Sequence, residues 1–435
     1  MVSNMKHEIN EGLALPPILN VIDHILFSTF VGFLIILIAT SARVNIFADS
    51  VDYYAMLQWV TPEKEKPIVR NVHFAEQRSP GYSLLSLIPY SMFTTLVEPF
   101  VTTETIREYS RSDFPPGTHG RQAGSEMALL PPKPLHIKDL IFKDYYVPVE
   151  DSWFQWKLAL SLLATSYFFL LIGIWANAKV LTLYSHAGKC LSIIPATILT
   201  ASTFMRNIID LPLFATLTVY GLGSLLLLFI WLSVRSNKSW QIVASGLLLG
   251  LLVLTRLELS VLAIILAGFF LFTKQLRFLA LFCLGGLVAF LLLTLYNMSL
   301  FGVPIHLGIL RGDINTLGIN LRYMYENLFH PDSGILFRTP LLIPGLIFLL
   351  FAKDTIFRVL GASALVLIIF YTIRIPIMYS RIGQGIIDIG GIPVTAPETS
   401  AQMRELIRFD IGRYVAAVIP FSIIGVRVAI DKIGS

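Results

Sequence analysis

Residues Ile25 to Ala42 read ILFSTFVGFLIILIATSA, and a few residues on the chain continues Ala48-Asp49-Ser50-Val51-Asp52-Tyr53-Tyr54. An uncharged apolar run of about 18 residues is long enough to cross a hydrocarbon core about 30 Å thick. It is too long for the core of a secretory signal, and the 1–24 segment before it is long and weakly basic. The run is therefore read as an uncleaved first span with a cytoplasmic N-terminus. The carboxylates of Asp49 and Asp52 follow where that span leaves the membrane. They either cap the next helix as solvated groups or serve a site at the membrane surface.

Composition sets the class. Hydrophobic residues make up 55% of the chain and charged residues 14%, against about 25% charged in an ordinary soluble domain. This is the balance of a polytopic membrane protein. The net charge of +5 comes without a basic run, so nucleic acid is not an expected partner. Most Lys and Arg outside the long first loop stand in pairs between apolar segments, where they act as topology signals. Cys190 and Cys283 fall at apolar segments and form no spacing motif.

Further apolar runs stand at Trp153 to Ala176 and near 191–204, 211–233, 241–255, 257–273, 278–299, 335–352, 359–375 and 414–430. They predict an all-α integral membrane fold of about ten transmembrane helices. The stretch 43–152 becomes a long first loop. Within it, Arg78-Ser79-Pro80-Gly81-Tyr82-Ser83 opens an apolar helix, 84–97, interrupted by Pro89. That helix is too short to cross and suits a juxtamembrane position in the interface. Pro115-Pro116-Gly117 and Pro131-Pro132-Lys133-Pro134 predict irregular structure or a small extramembrane subdomain from Thr102 to Asp151.

Charge orients these segments. If the spans alternate, Lys179 with Lys189, Arg235 with Lys238, Lys274 with Arg277, Lys353 with Arg358, and Arg427 with Lys432 all share one side. The positive-inside rule makes that side cytoplasmic. Segments 1–24 and 431–435 are then inside, and 43–152, 300–334 and 377–413 are outside, around a bundle of about nine helices over 153–430. Residues 240–273 would make a helix about 51 Å long, too long for one span, so they are read as a hairpin with Arg256 and Glu258 at its outer tip. Those two form either an ion pair closing the hairpin or a ligand contact. Arginines gathered on the outer side, among them Arg206, Arg256, Arg311 and Arg413, suit a lipid-linked anion, because guanidinium binds phosphate bidentately. The alternative is that they snorkel or anchor span ends.

In order along the chain, several motifs are similar to those of the GT-C superfamily of polytopic glycosyltransferases, in particular bacterial members related to protein O-mannosyltransferases and the lipid A aminoarabinose transferase. Asp49-Ser50-Val51-Asp52-Tyr53 stands where that family has its acidic motif after the first span. Ser79-Pro80-Gly81-Tyr82-Ser83-Leu84-Leu85 resembles its Pro-Pro-Gly-Tyr-Pro-Leu-Leu run, and Leu254-Thr255-Arg256 resembles a Leu-Thr-Arg-Pro turn. Tyr296-Asn297-Met298-Ser299-Leu300-Phe301-Gly302-Val303-Pro304 resembles a Tyr-Asn-x-x-x-Phe-Gly-x-Pro segment. Gly334-Ile335-Leu336-Phe337, Pro340-Leu341-Leu342 and Gly412-Arg413-Tyr414 continue the series. The last lacks the proline of the family's Gly-Pro-Arg-Tyr, and further C-terminal spans or a soluble domain found in many relatives do not follow.

The resemblance implies inverting transfer of a sugar from a polyprenyl-phosphate donor to an acceptor on the extracytoplasmic face of a bacterial inner membrane. Such chemistry needs a base for the acceptor proton and stabilisation of the departing phosphate. Asp49 is the expected base, with Asp52 second. Arg413 and Arg256 are the expected phosphate ligands, and Tyr82 and Tyr296 stand in motifs implied to bind substrate. No cofactor is firmly expected. A divalent cation held by Asp49 and Asp52 with His73 or His330 is the weaker addition, since no ligand spacing supports a dedicated site. The alternative reading is a non-catalytic integral subunit that keeps the GT-C scaffold and docks on membrane protein partners.

Overall fold

A computed structural model describes residues 17–41, 43–44, 49–61, 79–100, 135–136, 153–184, 190–304, 321–329, 334–374, 386–389, 392–395 and 415–433. The two proline-rich stretches of the first loop, His73, His330 and Arg413 lie outside them. The described chain is predominantly helical. It runs α1 (Pro17–Ser41), α2 (Asp49–Val60), α3 (Gly81–Leu85), α4 (Leu87–Met92), α5 (Trp153–Tyr184), α6 (Ile193–Thr200), α7 (Ser202–Ile209) and α8 (Thr216–Ser236). It continues with α9 (Ser239–Thr255), α10 (Ser260–Phe272), α11 (Leu276–Phe301), α12 (Leu321–Phe329), α13 (Ile335–Arg338), α14 (Leu342–Leu349), α15 (Thr355–Arg374) and α16 (Ile419–Ile433). Two strand pairs, which the sequence did not lead us to expect, join Arg43–Val44 to Leu135–His136 and Ile386–Ile389 to Ile392–Thr395.

Among the described residues, five helices are long and apolar enough to cross a membrane: α1, α5, α8, α11 and α15. The other apolar runs expected to cross hold shorter helices or broken pairs. Thr339, pushed to φ −142 by the following Pro340, separates α13 from α14. The first span starts earlier than expected, at Pro17, because Asp23 does not end it. The Asp23 carboxylate is buried and accepts hydrogen bonds from the Leu191 and Ser192 amides, at 2.7 and 2.8 Å, ahead of α6. A carboxylate on otherwise unsatisfied amides at a helix start is a favourable charge-to-dipole contact, and here it ties α1 to the bundle.

Helix faces meet through small residues, which let backbones approach closely where lipid supplies no hydrophobic drive. An added Cβ at Gly246 of α9 would collide with the Phe282 carbonyl of α11, and one at Gly285 would collide with that of Val243. At Gly250 it would come within 2.6 Å of the Ala289 Cβ. The same device sets Gly221 of α8 on Phe169 of α5 and Gly425 of α16 on Gly345 of α14.

The turns that carry basic pairs gather at one end. Arg235 pairs with Asp354 at 3.2 Å, Lys432 lies over the Phe351 ring, and Arg277 donates to Ser239 Oγ at 3.0 Å. Arg427 touches Cys190 Sγ and pairs with Asp431 at 2.6 Å. Burial pushes the Cys190 thiol up, and Arg427 pulls it the other way.

Candidate functional site

At the end of the bundle opposite the basic turns, α9 stops at Thr255, Arg256 takes an extended conformation (φ −147, ψ 110), and a tight helical turn, Leu257–Leu259, leads into α10. The chain reverses here, as the hairpin reading required. At 17 and 13 residues, α9 and α10 rise only about 25 and 20 Å. Arg256 therefore sits nearer the basic turns than does the Trp153 end of α5, whose 32 residues rise about 48 Å. Its side chain is buried, at 7% exposure.

The turn that opens α3 docks on this hairpin tip. Ser79 Oγ accepts a 3.2 Å hydrogen bond from the Leu257 amide. Gly81 lies so close to α9 that an added Cβ would stand 2.5 Å from the Leu254 carbonyl carbon and the Thr255 nitrogen. Only glycine fits there, which accounts for Ser79-Pro80-Gly81 and Leu254-Thr255-Arg256 as the two halves of one contact. Tyr82, fully buried, donates to the Leu162 carbonyl and is bonded to Ser166 Oγ, both at 2.8 Å on α5. Burial raises its pKa while the Ser166 hydrogen bond acts against that, and the hydroxyl stays protonated. It anchors the turn to α5.

That anchored turn in turn holds α2. Ser83 Oγ donates to the Tyr53 carbonyl at 2.8 Å, and the Tyr53 ring meets that of Tyr82 edge-on, centroids 5.0 Å apart. Tyr53, Met56 and Leu57 are buried. Asp49 opens α2 one helical turn before Tyr53, and Asp52 immediately precedes Tyr53; their side chains lie outside the described residues. The 79–83 segment thus links Tyr53 of α2, the helix that Asp49 opens, to Leu257 beside Arg256.

Tyr296 joins them by register. Gly246 of α9 packs on Phe282 of the parallel α11 and Gly250 on Ala289, a register that sets Tyr296 about level with the hairpin tip beyond the end of α9. Tyr296 is buried. The rest of its motif is a helix stop: Gly302 takes φ +68 as a left-handed cap, its amide bonds the Met298 carbonyl, and Asn297 Nδ2 reaches the Pro304 carbonyl at 3.4 Å. Val415–Ala417, just beyond Arg413, packs on Gly223 of α8.

The juxtamembrane segment departs from expectation in where it breaks. Pro89 lies inside α4, in its first turn, where a missing amide costs little, and the break falls at Ser86. A π-helical turn, Phe93–Val97, and Glu98–Phe100 follow. The segment runs along the first half of α5: Tyr82 meets Leu162, Tyr90 meets Phe154, and Glu98 pairs with the buried Lys157 Nζ at 2.8 Å. Ile88, Met92 and Leu96 are exposed at four-residue spacing. Lys157, a lone lysine in an otherwise apolar run, also lies over the Tyr90 ring, 4.7 Å from its centroid. Among the described residues, no three His, Cys, Asp or Glu side chains gather in a way that would hold a metal ion.

No protein-family model and no curated protein matches the chain. It is similar to the crystal structure of ArnT from Cupriavidus metallidurans in the apo state. The two share 12% identity and a TM-score of 0.42, over 94% of this chain and 76% of that one. A likeness of that degree assigns neither family nor activity.

Gly81→Ala tests the docking. It should cost about 1–3 kcal/mol, since backbone cannot yield as a side chain does, and Tyr82→Phe about 1–2 kcal/mol for the lost hydrogen bonds to Leu162 and Ser166. Thermal unfolding of the purified protein in detergent measures both. A Gly81→Ala protein that melts like wild type would contradict the contact.

Proposed function

We propose that this integral membrane protein transfers a sugar from a polyprenyl-phosphate donor to an acceptor at the membrane face where α2 begins, with inversion at the anomeric carbon. The observation that supports the reading is the docking of Ser79-Pro80-Gly81 on the turn of the buried Arg256, with Ser83 of the same segment bonded to Tyr53 of α2, the helix that Asp49 opens. The ordered motif resemblance supports it from the sequence. About ten crossings in all would put the basic turns in the cytoplasm and the Arg256 turn outside.

The chemistry needs little of the protein beyond position. The acceptor's nucleophilic atom attacks the anomeric carbon and its proton passes to the Asp49 carboxylate. The bond from that carbon to the phosphate oxygen breaks, and its electron pair leaves with the polyprenyl phosphate. Arg256 and Arg413 offset the charge that grows on the leaving oxygen. Asp52 shares the acidic helix start as the second candidate base. Tyr296, level with the hairpin tip, lines the donor side, while Tyr82 acts by fixing the turn.

Donor binding separates this reading from that of a non-catalytic scaffold. Arg256→Gln should weaken binding of a polyprenyl-phosphate sugar by about tenfold or more, the value of a charge-assisted hydrogen bond. Equilibrium binding of a radiolabelled donor to protein in nanodiscs measures it. Unchanged affinity in Arg256→Gln would remove Arg256 from the site.

A further inference from the structure

We propose that the turns joining α8 to α9 and α10 to α11 form a binding site for the headgroup of an anionic phospholipid. The inference does not depend on the transferase reading, only on the chain lying in a membrane. Lys238 stands on the first turn, Lys274 on the second and Arg277 at the start of α11; all are exposed. The Arg277 guanidinium donates to Ser239 Oγ at 3.0 Å, which holds the turns side by side. Arg235, on the last turn of α8, is shared with Asp354.

Nothing acidic on these helices offsets the charge. From 211 to 312 the sequence holds one carboxylate, Glu258, and it lies beyond Arg256 at the far end of the hairpin. Apolar surface begins immediately beside the cations. Phe272 is 86% exposed, Leu276 62% and Trp240 59%. A soluble anion would satisfy the cations and leave that apolar rim in water, whereas a phospholipid covers both, its phosphate on the lysines and Arg277 and its first methylenes along Trp240 and Phe272. An indole at the headgroup level is also where Trp is enriched in membrane proteins. Juxtaposed lysines and arginines favour an anionic over a zwitterionic headgroup.

Trp240 supplies the probe. The full-length protein is reconstituted in phosphatidylcholine vesicles in which a rising fraction of lipid is replaced by brominated phosphatidylglycerol or by brominated phosphatidylcholine. The difference in quenching between wild type and Trp240→Phe isolates the Trp240 signal. Brominated phosphatidylglycerol should half-quench it at a mole fraction about tenfold lower than brominated phosphatidylcholine does. In Lys238→Gln/Lys274→Gln/Arg277→Gln the preference should vanish while quenching by brominated phosphatidylcholine persists, which shows that the protein is still inserted. Equal quenching by the two lipids in wild type, or a preference that survives the triple substitution, would overturn the proposal.

Discussion

Asp49→Asn is expected to lower transfer from a polyprenyl-phosphate sugar by about two orders of magnitude or more, with donor affinity retained. The amide matches the carboxylate in size and still accepts a hydrogen bond, but it cannot take the acceptor's proton. Initial rates in proteoliposomes should therefore show a fallen kcat with little change in the KM for donor. Asp52→Asn should lose less. Arg413→Lys should act on the other parameter, raising the KM for donor, because a point charge replaces a bidentate fork. Full activity in Asp49→Asn would pass the base to Asp52 or to another carboxylate.

Gly246→Leu should have the largest effect on stability, about 3 kcal/mol or more. The added side chain has nowhere to go, since even a Cβ would collide with the Phe282 carbonyl on α11. Forcing α9 from α11 also breaks the register that sets Tyr296 level with the Arg256 turn, so donor binding should weaken together with the melting temperature. Gly32→Leu is the matched control: nothing lies within 4 Å of a Cβ added there, on the outward face of α1, and its melting temperature should stay close to wild type. Similar losses in both proteins would mean that leucine harms the bundle generally, rather than at the α9–α11 contact.

Apolar run length and charge pairing made much of the bundle legible. Each expected run holds helix, and the basic turns share one end, linked by contacts such as Arg235 with Asp354 and Arg427 with Cys190. Helix ends were less legible where a polar residue is satisfied from far away. Asp23 looked like the polar edge of the first span, yet it lies inside α1, bonded to amides 168 and 169 residues on. Lys157 looked like part of an apolar run, and its partner Glu98 stands 59 residues earlier. Such pairings are tertiary, and neither periodicity nor hydropathy encodes them. In the candidate site, the motifs themselves were visible, but the packing contacts they make were not. Gly81 and Gly302 serve a close approach and a helix cap, and Tyr82 is a strut on α5. Arg256 alone, among the expected ligands whose side chains are described, combines burial with a charge fit for phosphate.

The most direct test of the transferase reading is the stereochemistry of a single reaction. Wild-type protein in proteoliposomes is given a panel of radiolabelled polyprenyl-phosphate sugars together with membrane-extracted acceptors, and the anomeric configuration of any product is read by NMR. The account predicts donor-dependent transfer with the configuration inverted, and its loss in Asp49→Asn. No transfer from any donor, or a product that retains the donor's configuration, would contradict it.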